Sequence, residues 1–192
     1  MLFRSHNGSI GGGASYTSSG INGYALSLNG SSSYADLGAS LVNSYQSYTV
    51  SAWVKLNSLA GTQTIVSQDG SNTSAFKVQL KNGQFHFIIA QSDVSSPSIW
   101  DTWTSWSPVV GTWYHVAAVY RDTIGSMLLY VNGVPQPMCL TSSTWNGTGD
   151  TFVGRSRTGS GGTEWFNGAI DQVHTYTRAL DEQEIKNLYT YP

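Results

Sequence analysis

Residues 165–188 read WFNGAIDQVHTYTRALDEQEIKNL, and this stretch decides the fold of the chain. Its first half sets apolar side chains, among them Ile170 and Val173, between polar neighbours, which is typical of a half-buried strand. A short helix is predicted directly after it, because Asp181 can cap the first turn and Glu184 completes a capping box. The stretch therefore predicts a strand that leads straight into one capped helix near the C-terminus.

Earlier parts of the chain carry the signals of further antiparallel strands. Two Asn-Gly pairs, Asn82-Gly83 and Asn132-Gly133, suit two-residue hairpins in which both central residues have positive φ. Residues 48–56, YTVSAWVKL, alternate strictly, which predicts a core strand. Its core face consists of Tyr48, Val50, Ala52, Val54 and Leu56.

Together these motifs resemble those of LamG-like, concanavalin A-like jelly-roll domains. Residues 168–185 are similar to the family's closing motif G-x-I-D-E-V-x-x-Y-x-R-A-L-x-x-x-E-I, with Gln172 where the family usually has Glu. Residues 25–30, ALSLNG, resemble its A-L-x-F-D-G strand, and residues 113–120 and 128–133 resemble its W-Y-H-V-A-x-V-Y and L-x-L-Y-V-N-G strands. The resemblance implies an all-β fold, an antiparallel two-sheet jelly-roll sandwich with one short C-terminal helix.

The resemblance covers most of the chain, so residues 1–192 are expected to form a single LamG-like domain. Residues 1–22 are a Gly/Ser-rich N-terminal segment, in which the family's usual opening strand has no clear counterpart. A sandwich that lacks its first strand exposes an unpaired edge that another chain can complete. A homo-oligomer is therefore expected.

Composition excludes several classes of function. Charged residues make up only 10% of the chain and the net charge is −2, with no basic run to meet a phosphate backbone, which argues against nucleic acid as a partner. Cys139 is the only cysteine, which excludes an intrachain disulfide and a cysteine zinc site. No apolar stretch approaches the roughly 20 residues of a membrane span.

The sequence has no arrangement that predicts catalysis. Glycoside hydrolases need two carboxylates flanking the scissile bond. Of the three glutamates, Glu182 and Glu184 belong to the predicted helix, and Glu164 has no acidic neighbour at strand spacing. No G-x-S-x-G nucleophile motif is present. A non-enzymatic protein is predicted, although a carboxylate pair assembled from separate loops stays open.

Asp171 lies between apolar neighbours on the predicted closing strand, where an unpaired charge would be costly to bury. The family resemblance implies that Asp171 helps to hold a structural calcium ion together with Asn29, which stands where the family usually has Asp. The alternative is that Asp171 accepts hydrogen bonds from backbone N–H groups. Calcium takes six to eight oxygen ligands, so two side chains are only part of such a site.

Residues 98–108, SIWDTWTSWSP, carry three tryptophans at every third position, Trp100, Trp103 and Trp106. In the family this region is a variable loop. Exposed indoles offer flat faces to sugar rings, and the adjacent Asp101 can accept hydrogen bonds from hydroxyl groups. Because the loop brings this carboxylate and no Lys or Arg, a neutral glycan is expected. A protein interface and a tryptophan cluster packed within its own loop remain alternatives.

Four other tryptophans divide into two groups. Trp145 and Trp165 are flanked by Gly, Asn and Thr and are further candidates for ligand binding, whereas Trp53 and Trp113 lie within strand motifs and are predicted to be core. The sequence thus predicts a non-catalytic, extracellular carbohydrate-binding module. The alternative is a structural subunit of a surface assembly such as a filament, a virion or an adhesive layer. Either function places the chain outside the cell or on a cell or virion surface.

Overall fold

The computed structural model describes residues 8–159 and 161–192, which fold into two large antiparallel sheets, a small hairpin and one helix. The elements, numbered in chain order, are β1 Ser9–Gly11, β2 Ser15–Thr17, β3 Ala25–Asn29, β4 Tyr34–Asp36, β5 Tyr48–Leu56, β6 Gln63–Asp69, β7 Ser74–Lys81, β8 Gln84–Ala90, β9 Ile99–Trp103, β10 Trp113–Arg121, β11 Ser126–Val131, β12 Val134–Pro135, β13 Cys139–Leu140, β14 Thr151–Val153, β15 Ser156–Thr158, β16 Gly161–Thr163, β17 Asn167–Tyr176 and α1 Glu182–Thr190.

The two large sheets pack face to face. The front sheet has the order β1-β4-β14-β6-β7-β8-β9, and the back sheet has the order β12-β11-β10-β5-β17-β3-β2, with β13 also paired to β11. The short strands β15 and β16 pair only with each other in a separate hairpin. The predicted all-β jelly-roll sandwich with a short C-terminal helix is confirmed.

The main core lies between the sheets and follows the alternation of the sequence. The predicted inward face of β5 is buried completely or nearly so, and it packs against the inward residues of β7 and β8. Removing one buried Val, Leu or Phe side chain from water stabilises the fold by roughly 1.5 to 3 kcal/mol. The front-sheet side of this core is formed by Phe76, Val78, Leu80, Phe85, Phe87 and Ile89.

Both predicted Asn-Gly hairpins are present. Asn82 and Gly83 have φ values of 52° and 74° between β7 and β8, and Asn132 and Gly133 have 51° and 74° between β11 and β12. Positive φ at both central positions matches the twist of the flanking strands. The turn chemistry therefore fixes the register of both hairpins.

The closing strand β17 contains a bulge, which explains the spacing of its two inward residues. Ile170 and Val173 both enter the main core although they are three residues apart, because the pairing with β5 shifts register between Asp171 and His174. Gln172 takes a positive φ of 47° at this point. The extra residue turns Val173 back to the inward face.

Helix α1 covers the outer face of the back sheet. The predicted capping box is formed, with the Asp181 carboxylate accepting the Glu184 N–H at 2.8 Å. Ile185 and the preceding Leu180 are buried against the outward residues of β10 and β11. The outer face of the back sheet is thus occupied by the chain itself.

The two tryptophans predicted to be core have different surroundings. Trp53 is buried, but it faces outward from the back sheet and stacks on Tyr189 of α1, with ring centroids 5.6 Å apart. Trp113 also faces outward and is only half-buried, so its prediction as a core residue is corrected. The Lys55 Nζ lies 5.1 Å from the Trp113 ring centroid, which gives this indole a cation–π partner.

The Gly/Ser-rich N-terminal segment supplies strands to both sheets. β1 pairs with β4 at one edge of the front sheet, and β2 pairs with β3 at one edge of the back sheet. Gly12 allows the turn between them, because it has a φ of 62° and a Cβ there would lie 1.8 Å from the Ser32 carbonyl oxygen. The expectation of a missing strand is corrected, although β1 and β2 themselves form an edge of each sheet, and the homo-oligomer stays a prediction. Residues 1–7 lie outside the described residues.

Within residues 8–159 and 161–192, no helix has the length and apolar composition needed to cross a membrane.

Candidate functional site

The outer face of the front sheet carries a cluster of polar and aromatic side chains on its β7, β8 and β9 strands. The strand register aligns Trp103 with His86 and His86 with Gln79 in one row across the sheet. Residues two positions along each strand form the next row on the same face. We call this surface the front face; it consists of Gln79, His86, Trp103, Lys77, Ile88, Asp101 and Lys81.

Trp103 is the exposed aromatic residue of the front face. Its indole stacks on the His86 imidazole, with ring centroids 5.8 Å apart and an interplanar angle of 20°. Trp103 remains 49% exposed, whereas His86 is buried. The indole is therefore supported on one side and accessible from solvent.

Asp101 connects all three strands of the front face. One carboxylate oxygen lies 2.8 Å from His86 Nδ1, and the other lies 3.3 Å from Lys81 Nζ. In the tautomer that carries its one ring proton on Nδ1, the imidazole donates to Asp101 and leaves the Nε2 lone pair as an acceptor. Because Lys81 belongs to β7 and Asp101 to β9, the ion pair crosses over β8.

Two acceptor atoms of the front face have no hydrogen-bond partner among the described residues. They are Gln79 Oε1 and His86 Nε2, whose residues are only 1% and 5% exposed. Buried polar groups in folded proteins are nearly always hydrogen-bonded. Six further buried side-chain atoms among the described residues also lack a partner, and this pair is distinguished by its place beside the exposed indole of Trp103.

Glu164 borders the front face from the segment between β16 and β17. Its carboxylate lies 3.0 Å from Lys77 Nζ and accepts hydrogen bonds from the hydroxyl groups of Ser156 and Thr64. Glu164 has a positive φ of 56°, an uncommon conformation for a residue other than glycine. Asp101 and Glu164 are thus each ion-paired to a lysine of β7. Carboxylates held in this way are suited to binding and orienting a ligand.

Trp165 lies beyond Glu164, on the same outer side of the front sheet. It packs on Tyr34 of β4, with ring centroids 6.0 Å apart. β4 and β9 are separated by five strand spacings, so Tyr34 and Trp103 lie about 24 Å apart along the sheet. Trp165 is half-buried and lies near the edge of the front sheet opposite to that of Trp103.

The three tryptophans of residues 98–108 do not form one platform. Ile99–Trp103 is an edge strand rather than a loop, so Trp100 and Trp103 point to opposite faces. Trp100 packs against the main core and donates its indole N–H to the Ser143 carbonyl oxygen at 3.2 Å. The predicted platform is corrected to one ring, Trp103.

Trp106 and Trp145 lie away from the front face. Trp106 packs edge-on against Phe85 and tilted against Tyr114, with centroid distances of 6.5 and 5.9 Å. Trp145 is half-buried with its indole directly against the Gly70 backbone, and its Nε1 is buried without a partner among the described residues. Both indoles pack within the chain, although Trp106 remains 38% exposed.

Asp171 is held by backbone groups. It is 5% exposed, and its carboxylate accepts the N–H groups of Ile21, Asn22 and Gln172 at 2.9, 3.2 and 2.8 Å. Donors of this kind satisfy the hydrogen-bonding capacity of a buried carboxylate. These hydrogen bonds occupy both carboxylate oxygens. They match the alternative stated in the sequence analysis, in which Asp171 accepts backbone N–H groups.

The two predicted calcium ligands do not come together. Asn29 pairs with Asn167 across β3 and β17, and Asp171 lies four residues further along β17, or about 13 Å. Asn29 Oδ1 accepts the N–H groups of the serine turn that follows it, residues 31–33. Among the described residues no group of three or more His, Cys, Asp or Glu side chains is placed to hold a metal ion. The residues present do not fit a calcium ion shared by Asn29 and Asp171, and calcium binding stays a prediction.

Sequence comparison agrees with this architecture. A sequence model of the concanavalin A-like lectin/glucanases superfamily matches residues 29–186, which run from β3 into α1. The chain belongs to this superfamily. No curated protein sequence matches the chain significantly.

Solved structures of this superfamily's fold include both enzyme-associated and receptor-binding domains. Domain 4 of AbnA, a GH43 extracellular arabinanase from Geobacillus stearothermophilus in complex with arabinotriose, matches with a TM-score of 0.74 and 26% identity, covering 95% of this chain and 87% of that chain. A heptameric SAP-like pentraxin from Limulus polyphemus matches at 0.69 and 18%, over 85% and 80% of the two chains. The botulinum neurotoxin type G receptor binding domain matches at 0.71 and 15%, over 95% and 45%. The last two show a shared fold alone.

Sequence reasoning missed five residues of the front face in this superfamily member: Gln79, His86, Lys77, Ile88 and Lys81. They belong to the β7–β8 hairpin, for which the sequence analysis identified only the Asn82-Gly83 turn. The sequence did contain a signal for them. When the apolar residues of an alternating strand face the core, the residues between them must face outward. What the sequence does not contain is the pairing of β8 with β9, which brings these residues to Asp101 and Trp103.

Proposed function

We propose that this chain is a carbohydrate-binding module that holds an oligosaccharide on the front face. The observation that carries the proposal is Trp103, an accessible indole fixed on a buried histidine beside a carboxylate. Indole rings offer a flat apolar surface to the C–H faces of sugars, while carboxylates accept hydrogen bonds from hydroxyl groups. A fixed ring loses little conformational entropy when a ligand binds.

A neutral glycan fits the charges of the front face. Lys81 is paired with Asp101 and Lys77 with Glu164, so two cations balance two carboxylates. Such a surface has no unpaired cation to attract an acidic sugar and no excess carboxylate to attract an amine. Binding is expected to depend weakly on salt, because screening acts on unbalanced charge.

The 26% identity to the arabinanase domain that was solved with arabinotriose supports an oligosaccharide as the ligand class. That relative also makes arabinotriose the first ligand to test. Because it belongs to an extracellular arabinanase, an extracellular location is proposed for this chain as well. A role without catalysis is proposed because Asp101 and Glu164 are each ion-paired to a lysine, an arrangement suited to a static binding surface.

Isothermal titration calorimetry of the purified chain tests the proposal. The ligands are arabinotriose, other neutral oligosaccharides and acidic oligosaccharides, each at low and high salt. We expect at least one neutral oligosaccharide to bind with an affinity that changes little with salt. If acidic oligosaccharides bind instead, and added salt abolishes the binding, the front face is not the site as proposed. If no oligosaccharide binds, the proposed function is wrong.

A further inference from the structure

Gln79 Oε1 and His86 Nε2 are neighbours on the front face. Their residues are register partners on β7 and β8, and cross-strand partners have Cβ atoms roughly 4.5 to 5.5 Å apart. Both atoms are buried and neither has a partner among the described residues. An unpartnered buried acceptor destabilises the free protein, so a functional reason for this pair has to be sought.

Both atoms are hydrogen-bond acceptors. The amide oxygen of Gln79 can only accept, and His86 Nε2 accepts in the tautomer that carries its one ring proton on Nδ1, towards Asp101. A partner for this pair must therefore bring donor hydrogens. A single hydroxyl group has one hydrogen, so two hydroxyl groups are needed to satisfy both atoms.

Lys81 reaches across the front face beside this pair. Its side chain passes from β7 over β8 to reach Asp101 on β9, and therefore crosses His86. The ion pair is a single contact of 3.3 Å and Lys81 is partly exposed, so it is easily broken. Ligand contact with His86 Nε2 would require this ion pair to open.

We infer that Gln79 and His86 are the specificity-determining acceptor pair of the glycan site, receiving hydrogens from two hydroxyl groups of a sugar that stacks on Trp103. This inference rests on the proposed function and specifies what the site selects. Sugars with two hydroxyl groups on the ring edge that faces β7 and β8 satisfy both atoms. Deoxy or O-methylated analogues leave at least one acceptor buried and unpaired, and such sites reject analogues of this kind strongly.

The test is the variant Gln79→Met, which removes the acceptor and keeps an unbranched side chain of similar length. Calorimetry with the neutral oligosaccharide that binds the wild-type chain is expected to give an affinity lower on the order of tenfold. Thermal melting without ligand is expected to give an unchanged or higher Tm, because the variant no longer buries an unpartnered polar atom. A lower Tm would show that Gln79 supports the fold, and unchanged affinity would show that it does not contact the ligand; either result overturns the inference.

A second variant and a control make the test independent of one substitution. His86→Asn retains a donor for Asp101 and removes the Nε2 acceptor, so it is also expected to weaken binding. Gln183→Met changes a glutamine on α1, on the opposite side of the sandwich, and is expected to bind like the wild-type chain. If the wild-type chain binds and either front-face variant binds equally well, the acceptor pair is wrong while the proposed function stands. If the wild-type chain binds no oligosaccharide, the proposed function itself fails.

Discussion

The indole of Trp103 lies nearly parallel to the imidazole of His86, with ring centroids 5.8 Å apart and an interplanar angle of 20°. His86 is in turn held by the Asp101 carboxylate at 2.8 Å. One buried polar contact therefore fixes the orientation of an exposed aromatic ring at the edge of the front sheet. This arrangement reduces the conformational entropy that Trp103 would lose when it binds a ligand.

Replacing Asp171 by Ala is expected to destabilise the chain. The change leaves the N–H groups of Ile21 and Asn22 without their acceptor in a partly buried site. Each unpaired buried N–H costs about 1 to 3 kcal/mol, so the free energy of unfolding should fall by at least that amount in urea titrations. Asp150→Ala changes an exposed carboxylate and serves as the control. Equal stability of the two variants would contradict the assigned role of Asp171.

Chelation tests whether calcium contributes to stability. Asn29 on β3 pairs with Asn167, which lies about 13 Å from Asp171 along β17, and the oxygens of Asn29 and Asp171 accept backbone N–H groups, so these residues do not fit one shared ion. We expect the same Tm in excess EDTA and in excess calcium. A Tm that rises with calcium concentration would reveal a bound ion, because a ligand of the folded state stabilises it by mass action.

Stability is expected to fall as the pH drops below 6.5. Burial, with a smaller effect of the neighbouring His174, lowers the pKa of His115 from 6.5 to about 4. Between these values the unfolded chain binds a proton that the folded chain does not, so acid favours unfolding by about 2 kcal/mol at pH 5 relative to pH 7. The His115 ring packs between Trp53 and Tyr189. Replacing it by Phe should remove this part of the pH dependence. Parallel stability curves for the two proteins between pH 7 and pH 5 would exclude His115 as its source.

Trp106→Ala is expected to affect folding rather than ligand binding. Its indole packs on Phe85 and Tyr114, so its removal should lower the free energy of unfolding by about 1 to 3 kcal/mol. The affinity for the oligosaccharide should stay at the wild-type value, since Trp106 lies away from the front face. A variant with normal stability and weakened binding would show that Trp106 contributes to the binding site.

Local features of this fold could be predicted from the sequence because their causes are local. The Asn-Gly turns at Asn82 and Asn132 require positive φ, and the capping box at Asp181 needs residues only three positions apart. The alternation of β5 fixes its inward face without reference to any other strand. The bulge at Gln172 was also implicit, since Ile170 and Val173 are three residues apart and both apolar.

The site could be predicted only in part because it depends on strand pairing. Trp103 and Asp101 were recognised, but which tryptophan faces outward is decided by the register of β9 on β8. His86 and Gln79 come from a different hairpin and meet these residues only in the folded sheet. Glycine content was equally ambiguous, because the same composition suits a flexible linker and the tight turn at Gly12 that joins the two sheets.

The most direct test of the proposed function compares two tryptophans on opposite sides of the sandwich. Trp103→Ala removes the exposed ring of the front face, and Trp113→Ala removes a half-buried ring from the outer face of the back sheet. Calorimetric titration with the best neutral oligosaccharide should give an affinity roughly three- to tenfold lower for Trp103→Ala, since a stacked ring contributes about 0.5 to 1.5 kcal/mol. Trp113→Ala should bind like the wild-type chain. Undiminished binding by a folded Trp103→Ala variant, or an equal loss in both variants, would contradict a glycan site on the front face.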